Sequence, residues 1–237
     1  MLELTPRLKI IADSINIAET VADIGSDHAY LPIYLVLNKK VKKVIASDIN
    51  NGPVKLSQKR IRVYGAESNI EVRKGNGLAV LGVGEAEVIV IAGMGGILIE
   101  EILTRDTKIA TAAKTLILQP MRDSDRVRKW LQQNNFRIIE EELVREEHKI
   151  YEIIWAEYSN ENVNRTYSCL PEDLMLVGKR IIDKKHLLAG EFVDKKISEM
   201  QKIIDIVKVN DTPNTNKRLV ECQTILKYYI EVRKWLQ

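Results

Sequence analysis

Acidic residues follow the first two strand-like runs of the chain, where their carboxylates are suited to bind a nucleoside. Asp23 and Asp27 flank Gly25 in the segment DIGSDH at 23–28, and Asp48 closes the next apolar run. Ligands of open α/β sheets bind outside the carboxyl ends of the strands. A carboxylate at such an end accepts two hydrogen bonds from ribose hydroxyls, which predicts that Asp48 binds a ribose.

The glycine loop itself argues against a dinucleotide. A G-x-G-x-x-G turn lets the backbone approach a pyrophosphate, but Gly25 is followed by Ser26, Asp27 and His28. In a partly buried site, repulsion between the Asp27 carboxylate and a pyrophosphate would cost on the order of several kcal/mol of binding free energy. A nucleoside with a cationic centre meets no such repulsion. S-adenosylmethionine fits, with its ribose on Asp48 and its ammonium and sulfonium near carboxylates and carbonyls.

Three later strand ends carry further candidate ligands. In GNGL (75–78), Asn76 can bond an adenine edge while the flanking glycines allow close backbone approach. In AGMGG (92–96), three glycines leave room for a flat substrate beside the methyl group of the cofactor. Gln119 ends the run TLILQP and supplies a fifth position at the same predicted edge.

The elements that must position these residues alternate between strands and helices. Near-continuous apolar runs, typical of strands buried on both faces, are interspersed with helical periodicity. The pattern predicts strands at 20–25, 44–49, 69–75, 86–96 and 115–120, followed by a hairpin over 136–158 that breaks near His148. We therefore predict an α/β fold, a Rossmann-like parallel sheet closed by an antiparallel hairpin.

The last third of the chain has only helical periodicity. A polar segment at 159–168 resembles a linker, which predicts a first domain at 1–160 and a small all-α domain at 161–237. Two apolar seams flank the breaker at 210–216 and predict an antiparallel, coiled-coil-like helical hairpin. The seams are Val193, Ile197, Met200, Ile204 and Val207, then Cys222, Ile225, Tyr229, Val232 and Leu236. Because each spans about two heptads, we predict an intrachain pair and a monomer.

Composition limits the classes of protein that the chain can belong to. The 237 residues are 45% hydrophobic and 29% charged, which is typical of a globular protein, and no apolar run approaches a membrane span. Cys169 and Cys222 are too few for a zinc site or disulfide framework, and the three histidines are scattered. We therefore predict a cytoplasmic protein with no membrane segment and no metal. The net charge of +3 permits a nucleic-acid partner without requiring one.

The combination of motifs resembles one known family. ADIGSDHAYLP (22–32), GNGL (75–78), IAGMGG (91–96) and LQP (118–120) are similar to segments of the bacterial tRNA adenine-22 N1-methyltransferases, the TrmK family. The resemblance implies a class I methyltransferase domain with a C-terminal coiled-coil domain, S-adenosylmethionine as cofactor and tRNA as substrate. It implies these cofactor-binding residues: Arg7, Asp23, Gly25, Ser26, Asp27, His28, Asp48, Ile49, Asn76, Gly77, Ala92, Gly93 and Met94. The family usually has an acid at the position of Asn76 and a glutamate at that of Asp48.

The reaction implied by the resemblance requires alignment more than a base. Adenine N1 has an in-plane lone pair, so no proton leaves before it attacks the methyl group. Asp27 is the candidate that stabilises the cation forming on the base, and Tyr30 is the candidate that stacks on an extruded adenine. These candidates also have structural interpretations. Asp27 is alternatively a helix N-cap, and Tyr30 is alternatively a packing residue, as are the cofactor-site candidates His28 and Met94.

Three basic clusters are candidate phosphate contacts, although a charge run is usually a solvated face. They are Lys39, Lys40, Lys42 and Lys43, then Lys55, Lys59, Arg60 and Arg62, then Lys179, Arg180, Lys184 and Lys185. Two other functions stay open at this point. One is a class I methyltransferase acting on a small molecule or protein, and the other is a catalytically silent tRNA-binding module.

Overall fold

A computed structural model describes residues 2–159, 175–208 and 213–237. The chain divides into two compact units, residues 1–169 and 170–237. The predicted linker at 159–168, apart from Ser159, lies outside the described residues, as do Cys169 and residues 210–212 of the predicted breaker. Residues 213–216 of that breaker are helical instead, in a helix that begins at Pro213, because proline is accepted at the first helical position. The predicted domain boundary after residue 160 falls in the same gap and stays a prediction.

The first unit is built on a seven-stranded sheet with the order β3-β2-β1-β4-β5-β7-β6. Strands β1 to β5 are parallel, while β7 runs antiparallel to both β5 and β6. The predicted Rossmann-like sheet closed by a hairpin is thereby confirmed. The strands are β1 (Ala18–Ile24), β2 (Val41–Asp48), β3 (Ile70–Lys74), β4 (Val88–Met94), β5 (Thr115–Pro120), β6 (Phe136–Glu146) and β7 (Lys149–Tyr158).

Alternate strand residues point to opposite sides of the sheet, and both sides are apolar. Helices therefore cover both faces. Val21 and Val90 belong to one apolar layer, and Ala22 and Ile91 belong to the other. All four are fully buried. The helices are α1 (Pro6–Ser14), α2 (Tyr30–Leu37), α3 (Asn51–Val63), α4 (Gly96–Arg105), α5 (Thr107–Ala112) and α6 (Ser124–Gln133), with a 3₁₀ turn at Gly77–Val80. The short α5 and the 3₁₀ turn carry too few residues for a periodic signal and were not predicted.

A buried ion cluster joins α6 to the hairpin. Arg128 is 2% exposed and donates to Glu141 Oε1 at 2.6 Å and to Glu152. Burial disfavours its charge, but the attraction of Glu152 and Glu141 outweighs that effect and raises the pKa of Arg128. Ser124, at the start of α6, also donates to Glu152. This cluster fixes α6, and with it the loop that leaves β5, against β6 and β7.

The described part of the second unit contains helices α7 (Lys179–Asp183), α8 (Ala189–Lys208) and α9 (Pro213–Trp235). Arg233, near the end of α9, donates to Asp194, near the start of α8, at 2.7 Å, so the two long helices are antiparallel. Val193, Ile204 and Val232 of the predicted seams are buried. Within the described ranges, no helix is both long enough and apolar enough to span a bilayer.

Candidate active site

A cavity of about 320 Å³ opens at the carboxyl ends of β1 and β4. This volume lies at the lower end of the range for small-molecule sites. Nine residues predicted from the sequence lie on its wall: Arg7, Asp23, Gly25, Ser26, Asp27, His28, Tyr30, Ala92 and Gly93. Leu8 and Leu31 add apolar surface. Helix α1 therefore contributes to the site although it precedes the whole sheet.

The loop after β1 depends on the absence of a side chain at Gly25. Its φ of +75° is left-handed, and a Cβ there would lie 2.1 Å from Met94 Cε at the end of β4. The amides of Gly25 and Ser26 donate to the Ser47 carbonyl at 2.8 and 2.7 Å. These contacts turn the chain sharply out of the sheet and bring the β1 loop against β2 and β4.

Asp23 is the most perturbed acid of the cavity wall. It is 7% exposed, and burial raises the pKa of its carboxyl to about 6. Ser26 opposes part of this shift, although its buried Oγ has no hydrogen-bond partner among the described residues. A buried hydroxyl without a partner beside a destabilised carboxylate is suited to a polar, cationic ligand.

Asp27 is not a helix cap. Helix α2 begins at Tyr30 with Ala29 as its N-cap residue and no side-chain capping bond. The Asp27 side chain is instead 70% exposed at the cavity, where Oδ1 lies 3.2 Å from His28 Nε2. The capping alternative is therefore wrong, and the carboxylate is accessible to a ligand.

Arg7 on the cavity wall is tied to the buried Gln119 of β5. Arg7 Nη1 donates to Gln119 Oε1 at 2.5 Å, and the Gly93 amide donates to the same oxygen at 3.0 Å. Arg7 Nε also donates to Glu146 Oε2 at 3.1 Å, and its guanidinium lies over the Tyr151 ring, 4.8 Å from the centroid. The sequence did not predict that Glu146 and Tyr151 contact Arg7. The alternating pattern of the hairpin indicates which residues share a face of the sheet, but not which of them reach another element.

The remaining predicted ligands lie beside the cavity rather than on its wall. Asp48 ends β2, where its Oδ1 accepts from the Asn50 amide at 2.7 Å, and the exposed Ile49 follows. The Gly75 amide donates to the Asp48 carbonyl at 3.0 Å, which places the next loop at the same sheet edge. Asn76 is exposed there. Gly77 is buried, and Met94 packs against Gly25.

The three basic clusters lie in different environments. Lys42 and Lys43 lie in the first half of β2, away from its carboxyl end, and pair with Glu19 and Glu71 at 2.6 and 2.8 Å. The second cluster lies on α3, whose start follows the Asp48 loop. The third belongs to the second unit, where Lys179 pairs with Asp183. Of the two clusters in the first unit, the α3 cluster adjoins a cavity loop, where Arg60 donates to the His28 carbonyl.

The cavity has the donor set of a cation-binding nucleoside site. Asp23 and Asp27 supply carboxylates, the charge of Arg7 is balanced by Glu146, and Gly93 with a φ of +78° leaves the β4 end open. Over residues 2–159, 175–208 and 213–237, no group of three His, Cys, Asp or Glu side chains could hold a metal ion. The residues present thus fit an uncharged ribose with a sulfonium and an ammonium, and not a pyrophosphate.

Comparison with known proteins places these features in context. Residues 4–154 match a family described as a methyltransferase domain. The chain is 35% identical over 232 residues to the tRNA (adenine(22)-N(1))-methyltransferase of Bacillus subtilis, covering 98% of this chain and 97% of that protein. The crystal structure of the B. subtilis m1A22 tRNA methyltransferase TrmK has a TM-score of 0.89 at 34% identity, covering 98% of this chain and 100% of that one. A Streptococcus pneumoniae protein assigned to the same class, in complex with S-adenosyl-L-methionine, has a TM-score of 0.81 at 30% identity and covers 98% of this chain and 100% of its own.

Proposed function

The chain belongs to the tRNA (adenine(22)-N(1))-methyltransferase family, and from this membership we propose that it transfers a methyl group from S-adenosylmethionine to N1 of adenine 22 in tRNA. The likeness spans nearly the full length of both chains. The observation that carries the proposal is the cavity between Gly25 and Gly93, because the same motif segments that mark the family form its wall.

The residues of this chain fit the cofactor in a consistent way. When bound, S-adenosylmethionine supplies the methyl group together with a sulfonium charge. Asp23 and the unpartnered Ser26 hydroxyl are suited to its cationic end, because both are buried at the cavity wall. Asp48 at the end of β2 is suited to the ribose hydroxyls, and Asn76 at the end of β3 to the adenine edge. Ile49, Gly77, Ala92 and Met94 complete the proposed contact surface.

The chemical step requires a cation to be stabilised on the acceptor base. Adenine N1 attacks through its lone pair and becomes positively charged as the methyl group transfers. The exposed carboxylate of Asp27 is the group we assign to that charge and to the 6-amino group of the base. Tyr30 lines the same cavity and is the residue we assign to stacking on the extruded adenine.

Three further properties belong to the proposal. We infer that α8 and α9 pack as a coiled coil, since all ten predicted seam residues are buried or partly buried. We infer a monomer, because this pairing is satisfied within one chain. A tRNA substrate supports a location in the cytoplasm.

A methyl-transfer assay against separated substrate pools tests the substrate class. We expect label from methyl-labelled S-adenosylmethionine to enter bulk tRNA, and not small metabolites or proteins, when each pool is incubated with the purified chain. Label in the metabolite or protein pool would favour another class I methyltransferase. Tight tRNA binding without any label transfer would favour a silent binding module.

A further inference from the structure

The loop between β1 and α2 is held in an unfavourable backbone conformation. His28 and Ala29 are consecutive non-glycine residues with φ values of +65° and +55°. Left-handed backbone costs about 1–2 kcal/mol per residue outside glycine. Ala29 is fully buried, so the loop does not relax into solvent. Such strain persists only where neighbouring groups over-determine the conformation, and it concentrates at functional sites.

Helix α3 supplies two groups that hold this loop. Arg60 Nη1 donates to the His28 carbonyl at 3.1 Å, and Ser57 Oγ donates to the Ser26 carbonyl at 3.3 Å. Ser57 is 1% exposed, and Arg60 is partly buried. The two donors are one helical turn apart, so together they restrain the loop on both sides of Asp27.

Arg60 also contacts the first residue of α2. Its guanidinium carbon lies over the Tyr30 ring, 3.9 Å from the centroid. The His28 ring meets Tyr30 edge-on, with centroids 6.0 Å apart and planes inclined by 61°. A planar guanidinium stacks on a ring while donating sideways, whereas a lysine ammonium does not make both contacts.

These contacts separate Arg60 from the basic residues beside it. Lys59 and Arg62 are exposed on the same helix and form no ion pair with any described residue. They are therefore suited to a solvated phosphate contact. We propose that Arg60 is instead a positioning residue, which fixes the strained loop carrying Asp27 and orients the Tyr30 ring toward the acceptor base. This inference rests on the proposed function for the identity of the base.

Arg60→Met, Arg60→Lys and Arg62→Met distinguish positioning from phosphate binding. For both Arg60 variants, we expect kcat at saturating tRNA to fall about 10- to 100-fold, because the reacting groups are displaced. The slope of log Kd for tRNA against log salt should stay at the wild-type value. Arg62→Met, which removes the same charge, should change KM for tRNA and lower that slope by about 0.7–0.9.

Cofactor binding without tRNA provides a readout that is independent of methyl transfer. We expect the Kd for S-adenosylmethionine to rise about tenfold or more in Arg60→Met and to stay at the wild-type value in Arg62→Met. If Arg60→Met does not fold, Ser57→Ala replaces it, and the same rise in Kd is expected. An Arg60→Met protein that binds cofactor normally, keeps its kcat and loses salt slope would overturn the inference. If the wild type methylates no tRNA, the proposed function fails while the cofactor titration still decides the role of Arg60.

Discussion

The backbone amide and the Nε of Arg7 both donate to Oε2 of Glu146, at 3.2 and 3.1 Å, although 139 residues separate the two in the chain. Burial pushes the pKa of Glu146 upward, but the hydrogen bonds from Arg7 outweigh this effect and lower it below the ordinary 4.5. The hairpin therefore anchors the first helix at the cavity, and the free energy of this pair is present above about pH 4.5 and lost as the pH falls.

Removing the Glu146 charge should loosen the cofactor site. We expect Glu146→Gln to raise the Kd for S-adenosylmethionine about tenfold, because Arg7 no longer holds Gln119 and the β4 end in place. Isothermal titration calorimetry measures this change. The matched control is Glu157→Gln, which removes the exposed partner of Arg137 from the same hairpin and should leave the Kd unchanged. Equal effects of the two substitutions would contradict the anchoring role.

Cofactor affinity should depend on pH through Asp23. With a pKa of about 6, this carboxyl gains a proton as the pH falls toward 5, and its attraction for a cationic ligand is lost. We expect the Kd measured between pH 5 and 8 to rise on the acid side in the wild type. In Asp23→Asn the Kd should be high throughout and independent of pH over this range. A wild-type Kd that is constant from pH 5 to 8 would contradict the assignment.

The same group should lower stability in the absence of cofactor. Because the pKa of Asp23 is raised above 3.8 on folding, the folded state gains relative stability below pH 3.8 and loses it as the pH rises through about 6. We expect Asp23→Asn to raise the free energy of unfolding at pH 8 by up to about 3 kcal/mol. Urea denaturation of the cofactor-free protein at pH 8 measures the difference. An unchanged or lower midpoint would show that the carboxylate is better solvated than its burial implies.

A side chain at Gly25 should strain the left-handed backbone and displace the end of Met94. Gly25→Ala places a Cβ against Met94, whereas Gly84→Ala has a similar φ of +74° and open space. Both variants should lose about 1–2 kcal/mol from the left-handed backbone, and only Gly25→Ala should lose somewhat more and weaken cofactor binding, because the flexible end of Met94 must shift. Adding Met94→Ala should restore part of the stability of Gly25→Ala. Equal losses in the two glycine variants would exclude the steric contribution.

The buried ion cluster should make Arg128 costlier to remove than an arginine in an exposed ion pair. Arg128→Met removes the buried cation that neutralises Glu141 and Glu152, and we expect it to lower the free energy of unfolding by about 3–5 kcal/mol. Arg137→Met removes an exposed pair with Glu157 and should cost about 1 kcal/mol or less. Denaturant titrations of the two variants provide the comparison. A loss below about 1 kcal/mol for Arg128→Met would contradict the structural role of the cluster.

The sheet was predictable because its strands are continuous apolar runs. TLILQP was placed at 115–120, which are the bounds of β5, and the glycine loop after β1 lies at the cavity as expected. The part of the cavity wall that α1 contributes, and its anchor on β6, were predictable only in part: the resemblance implied Arg7, and no sequence signal indicated Glu146. Contacts between residues 139 positions apart are set by how the hairpin folds back, and a single sequence does not encode that distance in any local pattern.

The role of Arg60 was also not predictable from the sequence. Charge clustering groups it with Lys55, Lys59 and Arg62 as one basic helix face. Its stacking on Tyr30 depends on the left-handed turn at His28 and Ala29, which non-glycine residues rarely adopt. A local propensity argument therefore misses both the turn and the contact that stabilises it.

Direct identification of the methylated atom tests the central claim. The purified chain would be incubated with S-adenosylmethionine and tRNA carrying adenosine, guanosine or 1-deazaadenosine at position 22, and the digested nucleosides would be quantified by mass spectrometry. We predict 1-methyladenosine from the adenosine tRNA alone, because only that tRNA offers a neutral N1 lone pair at position 22. Methyl transfer to the 1-deazaadenosine tRNA, or no transfer to the adenosine tRNA despite bound cofactor, would contradict the account.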